Sequence, residues 1–232
     1  MDLISSLFTI FAAFVLPIVA AVWLALKKKR YLRPVLFGAL TFIVFQVLTR
    51  IPLLQLVIAP MPWYILMSIS SPLLAGLFLS LTAALFEEVG RYIVMRLFLK
   101  NNRRYMDSVA FGIGHGGTEA ILLVGLNALI GLIMSYGLSA DPWMTVAAGV
   151  ERLSAMVLHV ALSVMVLQSI NKRNVLYLIL AIFLHTLTNL AAVMMQANGT
   201  PVFLIEAVLF GFALIMLIFV IKLKNRTEVD TE

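Results

Sequence analysis

The chain has 232 residues, 62% of them hydrophobic and 12% charged, and a mean hydropathy of +1.06; a soluble domain carries roughly 25% charged residues, so water is excluded as its main solvent. A net charge of +6 and a pI near 9.8 would suggest a nucleic-acid partner in a soluble protein, but here the basic residues lie in short clusters between apolar runs and imply none. With no cysteine in the chain, disulfides, thiolate metal sites and cysteine nucleophiles are excluded.

A helix crosses the hydrocarbon with ~20 apolar residues, and seven such segments are predicted. The first, Leu3 to Leu26, lacks a basic stretch before it and is too long for a signal-peptide core, so it reads as a retained anchor. There follow Pro34 to Ile58, Pro72 to Leu99, Val109 to Tyr136, Val146 to Ile170, Val175 to Met195 and Val202 to Ile221. The third has an alternative start at Pro62, with Ser70, Ser71 and Pro72 as a break inside it. Lys27 to Arg33, Lys100 to Arg104, Lys172 to Arg173 and Lys222 to Arg226 supply the basic residues after helices one, three, five and seven. The loops around Pro60 to Trp63, Ala140 to Trp143 and Ala197 to Pro201 contain no Lys or Arg. Basic loops are retained in the cytoplasm, so the expectation is an all-α, multi-pass bundle of the cell membrane. Its N-terminus lies outside, its C-terminus is cytoplasmic, and residues 1–232 form a single membrane domain.

Four arginines, Arg50, Arg91, Arg96 and Arg152, fall inside or near the helices, with Glu87, Glu88, Glu119, Glu151, His115, His159 and His185. One central charge costs ~2.5 to 3.5 kcal/mol on insertion scales, so these groups must line a protein interior or a wet cavity. Glu88, His115, His159 and His185 each lie eleven to thirteen residues from the basic edge of their helix, about 18 Å at the helical rise. One shared site near the midplane is the economical reading; separate structural polar groups, each bonded to a neighbouring helix, are the bland one. Residues three or four apart share a helix face, so Glu87 and Glu88 both reach Arg91, His115 faces Glu119, and His185 faces Asn189. Gly112 and Gly116 flank His115 one turn apart, a spacing that lets helices approach closely. Arg50, Arg96, Glu151 and Arg152 read as structural, with Arg50 and Glu151 expected to pair.

Peptide hydrolysis requires a nucleophile, a base and donors for the oxyanion. The HExxH and GxSxG patterns are absent, and Asp2, Asp107, Asp141 and Asp230 lie at ends or loops. Ser163 is one turn from His159, a spacing commoner as plain helix packing. What remains is glutamate with histidine and asparagine. Adjacent residues diverge by ~100° on a helix, so one of Glu87 and Glu88 addresses water and the other is structural; spacing does not say which.

The segments EEVGR at Glu87 to Arg91, FGIGHGGTE at Phe111 to Glu119, His159, and HTLTN at His185 to Asn189 together resemble the YhfC family of glutamic-type intramembrane proteases. That family is related to the CAAX prenyl proteases and bacteriocin-processing enzymes, the PrsW-like proteases and the APH subunit of gamma-secretase. The resemblance covers essentially the whole chain. It implies that Glu87 is the general base, that His115 helps it, that Glu88 positions Glu87 or substrate, and that His185 and Asn189 hold the oxyanion. Arg91 comes one residue earlier than in the CAAX pattern, and Glu119 and His159 are additional. These departures point away from prenylated substrates, toward the PrsW-like branch or an APH-like scaffold.

The expected function is therefore an intramembrane endopeptidase acting on membrane proteins or membrane-associated peptides within the lipid bilayer. In the leading version the catalytic residues are Glu87, Glu88, His115, His185 and Asn189, supported by Arg91, Glu119 and His159, and no cofactor is called for. The rival within the same chemistry is a zinc enzyme with His115, Glu119, His159 and His185 as ligands. A non-catalytic scaffold and a proton-coupled transporter are the rivals from other classes.

Overall fold

The computed structural model describes residues 2–134 and 141–229; Tyr136, Ala140 and Asp230 lie outside the described residues. Within them the chain is all-α, and seven helices are long and apolar enough to span a membrane. These are α1 (Leu3–Lys27), α2 (Lys29–Ile58), α4 (Pro72–Phe98), α5 (Tyr105–Ile133), α6 (Pro142–Asn171), α7 (Leu176–Ala197) and α8 (Val202–Val229). A short helix, α3 (Pro62–Ser70), precedes α4 and is separated from it by extended Ser71, so Pro72 opens a new helix instead of interrupting a longer one.

Several helices begin earlier than hydropathy alone predicts, because their first turns are polar and capped. Asp107, expected in a loop, sits in the first turn of α5, where its carboxylate accepts from the Arg104 backbone N–H at 3.0 Å and from Arg30 Nη2 at 2.5 Å. A negative charge there complements the helix dipole. Asp141 similarly accepts from the Trp143 backbone N–H at 2.9 Å and starts α6 at Pro142. The Arg30–Asp107 pair ties the α1–α2 turn to the α4–α5 loop, and Asn171 Nδ2 donates to Arg103 O at 2.9 Å. The basic edges of successive helices thus gather at one end of the bundle.

Helix α6 is the centre. Of its most apolar window 72% is buried, against 22–44% for the other spans, which fits a helix surrounded by protein while its neighbours present Leu, Ile and Phe outward. Glycines let α5 lie against it and against α2. A Cβ at Gly112 would stand 2.5 Å from Val160 Cα and one at Gly116 3.0 Å from His159 Cβ, while one at Gly114 would collide with Val35 O of α2. Removing those methyl groups brings the backbones, and the groups carried beside them, into contact.

Helix α2 is wound into wider π-type turns over Ile43–Arg50, immediately before Pro52. Proline lacks an N–H and its ring crowds the carbonyl four residues back, so the upstream turn opens out. The wider winding keeps Gln46 and Arg50 on one face, both directed inward.

Candidate active site

The ionisable groups named from the sequence converge. Glu87, Glu88 and Arg91 of α4, His115 of α5, His159 of α6 and His185 of α7 are all buried. The His115 and His159 rings are 5.3 Å apart between centroids and the His159 and His185 rings 5.6 Å.

Arg91 is fully buried and organises both glutamates. Its Nη1 donates to the two oxygens of Glu88 at 2.7 and 2.9 Å, and its Nη2 donates to Glu87 Oε2 at 3.3 Å. Nη2 also lies 2.6 Å from His159 Nδ1. A guanidinium only donates, so Nδ1 is the lone-pair nitrogen of His159 and Nε2 carries the proton, facing Glu119 Oε2 at 2.6 Å. The same logic assigns His185: Glu88 Oε1 accepts from its Nδ1 at 2.8 Å, which leaves Nε2 as the atom held toward open space. His115 Nε2 donates to Glu87 Oε2 at 3.0 Å.

A cavity of about 330 Å³ opens beside this cluster. Glu87, Glu119, His159, His185 and Asn189 line it; Glu88 does not. The other lining residues apart from Leu158, among them Leu79, Ser80, Ala83, Ser154, Ala192 and Val193, lie on the halves of their helices away from the basic edges. The cavity therefore extends from the cluster toward the end of the bundle that lacks Lys and Arg.

Some expected pairings do not form. Arg50 donates to Gln46 Oε1, Thr82 Oγ1 and Leu79 O, and Glu151 takes the neighbouring Arg152 guanidinium, so the two expected partners stay apart. Arg50 is held by its own helix and by α4, although Glu151 lines the same cavity. His115 turns to Glu87 and leaves Glu119 to His159 and to Arg152, whose Nη1 donates to Glu119 Oε1 at 3.0 Å. Asn189 lies half-buried along the cavity, one turn from His185. Ser163 Oγ is fully buried with no hydrogen-bond partner.

Sequence reasoning missed Gln46, whose Nε2 donates to Glu87 Oε1 at 3.2 Å. Its signal was present: it stands thirteen residues beyond Arg33, the depth shared by the other groups. Glu206 of α8 was also missed. It is buried, its Oε2 has no hydrogen-bond partner, and it interacts electrostatically with Glu151 and Arg152.

Two groups can hold a cation by composition. Donor atoms of Glu87, His115, Glu119 and His159 all lie within 4.8 Å of one another, as do those of Glu87, Glu88 and His185. In the second group Arg91 already supplies the positive charge. In the first, His115 Nδ1 is a buried acceptor with no hydrogen-bond donor, the condition in which an ion or a water is called for.

The family model described as YhfC intramembrane metalloprotease matches residues 12–140 and 127–210. The chain belongs to this family. A YhfC relative, the uncharacterized membrane protein YhfC of Bacillus subtilis (strain 168), is 32% identical over 219 residues, covering 79% of this chain and 81% of the relative. No solved structure matches the chain. The family's description names an intramembrane metalloprotease, and the fold is a multi-pass helical bundle with metal-capable donors.

Proposed function

We propose that the chain is an intramembrane endopeptidase that hydrolyses a peptide bond of a membrane-embedded substrate with a water activated by Glu87. One observation carries this reading: of the two adjacent glutamates, Glu87 lines the cavity, braced by His115, while Glu88 lies behind it, held by Arg91 and His185. A carboxylate has about four lone-pair sites. Gln46, His115 and Arg91 occupy three on Glu87, leaving one to accept from water.

In the resulting mechanism Glu87 takes the proton of a water whose oxygen attacks the scissile carbonyl carbon. It then returns that proton to the amine nitrogen as the C–N bond breaks, yielding a carboxyl and an amine. His185 Nε2, when the ring carries both protons, and Asn189 Nδ2 are the donors on the cavity wall for the developing oxyanion. Glu88 and Arg91 are positioning residues: they orient His185, His159 and Glu87 by the contacts above.

The family's metal fits the chain best on His115, Glu119 and His159. Two histidines and one carboxylate make a catalytic zinc set that leaves a coordination position open, and Glu87 then remains the base. A bound divalent cation would supply Lewis acidity toward a carbonyl oxygen or a water. His159 would hold such an ion at the expense of its present contacts with Arg91 and Glu119. The unpaired acceptor His115 Nδ1 and the Glu119 carboxylate would favour the cation in return.

Basic loops mark the cytoplasmic end, so the cavity faces the outer half of the bilayer and substrate reaches it from that side. Its volume of about 330 Å³ is that of a small-ligand pocket and suits a short unwound stretch of one substrate helix. The test is Glu87→Gln in detergent-purified protein whose thermal transition shows that it stays folded. Substrates are first found by comparing membrane proteomes of cells with and without the chain. Cleavage of such a substrate is expected to be abolished, and undiminished cleavage would sink the mechanism.

A further inference from the structure

A second cavity, of about 620 Å³, lies at the basic end of the bundle, between the end of α4, the α4–α5 loop and the α6–α7 turn. Its walls carry Arg96, Lys100, Arg103 and Arg173 together with Tyr92 and Ser169, and no acidic residue lines it. Asp107, an acid at this end, is engaged by Arg30, Asn102 and the Arg104 backbone. Four cations around one concavity repel each other unless an anion sits among them.

Two buried atoms there lack partners. Arg103 Nη1 has no acceptor, and Ser169, 3% exposed, has no partner for its Oγ. The rest of Arg103 is fixed: its Nη2 donates to Arg96 O at 3.2 Å, and its own carbonyl accepts from Asn171 Nδ2 at 2.9 Å. Burial, and then the neighbouring Arg96 charge, push the Arg103 guanidinium below its ordinary value. Ordinary topogenic lysines and arginines need only water around them. A preformed cavity with unpaired buried atoms is a different thing.

The geometry points to a phosphate-binding site in this cavity, occupied by the headgroup phosphate of an anionic phospholipid, with Arg103 Nη1 and Ser169 Oγ as the buried donors. Phosphate oxygens accept several charge-assisted hydrogen bonds at once, and basic pockets between helix ends at the cytoplasmic surface are suited to lipid headgroups. The level is right, since the cavity lies at the ends of α4 and α6. Outward-facing Leu97, Phe98, Val175 and Leu176 adjoin it and offer apolar surface for acyl chains.

The experiment counts lipids retained on the full chain by native mass spectrometry, from mixed micelles of phosphatidylglycerol or of phosphatidylcholine. Wild-type protein is expected to retain phosphatidylglycerol at least tenfold better than phosphatidylcholine. Arg96→Gln with Arg103→Gln should lose that preference, and Lys28→Gln, at the same end but outside the cavity, should keep it. Lys100→Gln with Arg173→Gln alters only exposed side chains and should weaken retention several-fold, which keeps the test valid if the first variant unfolds. Equal retention of the two lipids, or a preference unmoved by both double variants, would overturn the site. Displacement of phosphatidylglycerol by millimolar inorganic phosphate would overturn the assignment to lipid and give the cavity to a soluble phosphate.

Discussion

Glu87 and Glu88 are neighbours in the chain and differ in what surrounds them. Glu88 is fully buried and receives two bonds from one Arg91 nitrogen and one from His185; Glu87 meets Arg91 at a single, longer contact of 3.3 Å and faces the cavity. Removing one partner of a buried ion pair leaves the other charge uncompensated, at about 3 to 5 kcal/mol. Glu88→Gln is therefore expected to destabilise the protein by about that amount and Glu87→Gln by clearly less, while cleavage suffers in both. Thermal denaturation of the two variants in the same detergent checks the order, and a more stable Glu88→Gln protein would contradict it. The sequence named both residues and their shared arginine from helix spacing. It did not separate their roles, because the difference lies in His115, His185 and Gln46, which come from three other helices.

At the scale of elements, the site depends on how closely α5 approaches α6. Gly112 faces the backbone of Val160, which has no flexible end to give way, and a Cβ would stand 2.5 Å from Val160 Cα. Overpacking of this kind costs about 1 to 3 kcal/mol. Gly112→Ala is expected to lower the melting temperature and to reduce cleavage more than its stability loss explains, by moving His115 away from His159. Cleavage measured well below the melting transition separates the two effects; wild-type activity there would mean that the spacing is not critical. The glycine spacing was legible in FGIGHGG. That a third glycine, Gly114, faces α2 on the other side was not, since periodicity reports a face without naming its neighbour. The helix starts were misplaced for a related reason: Asp107 and Asp141 read as loop residues until their capping contacts are seen.

Across the whole molecule the polar groups form one chain of contacts, from Arg50 through Gln46, Glu87, Arg91, His159 and Glu119 to Arg152 and Glu151. With Glu88, its four carboxylates face three guanidiniums, leaving one negative charge uncompensated if the histidines are neutral. Uncompensated charge in low dielectric is costly, so a proton or a metal ion is favoured at the cluster. Elemental analysis of protein purified without chelator is expected to give one divalent ion per chain, lost in His159→Ala and in Glu119→Gln. Metal-free protein that still cleaves would remove the ion from the mechanism and leave Glu87 with His115. The Arg50–Glu151 pairing expected from depth alone fails at this scale: depth places residues at one level without saying which helices lie side by side.

By itself the sequence determined the solvent, the number of spans, the gathering of basic edges at one end and the depth of the ionisable groups, because each follows from one-dimensional counts of apolar length and charge. The tertiary structure alone decided which of two adjacent glutamates meets the cavity, which histidine serves which acid, and toward which end of the bundle the cavity extends. Those depend on the rotation of each helix about its axis and on the identity of its neighbours, and packing of the whole bundle around α6 sets both.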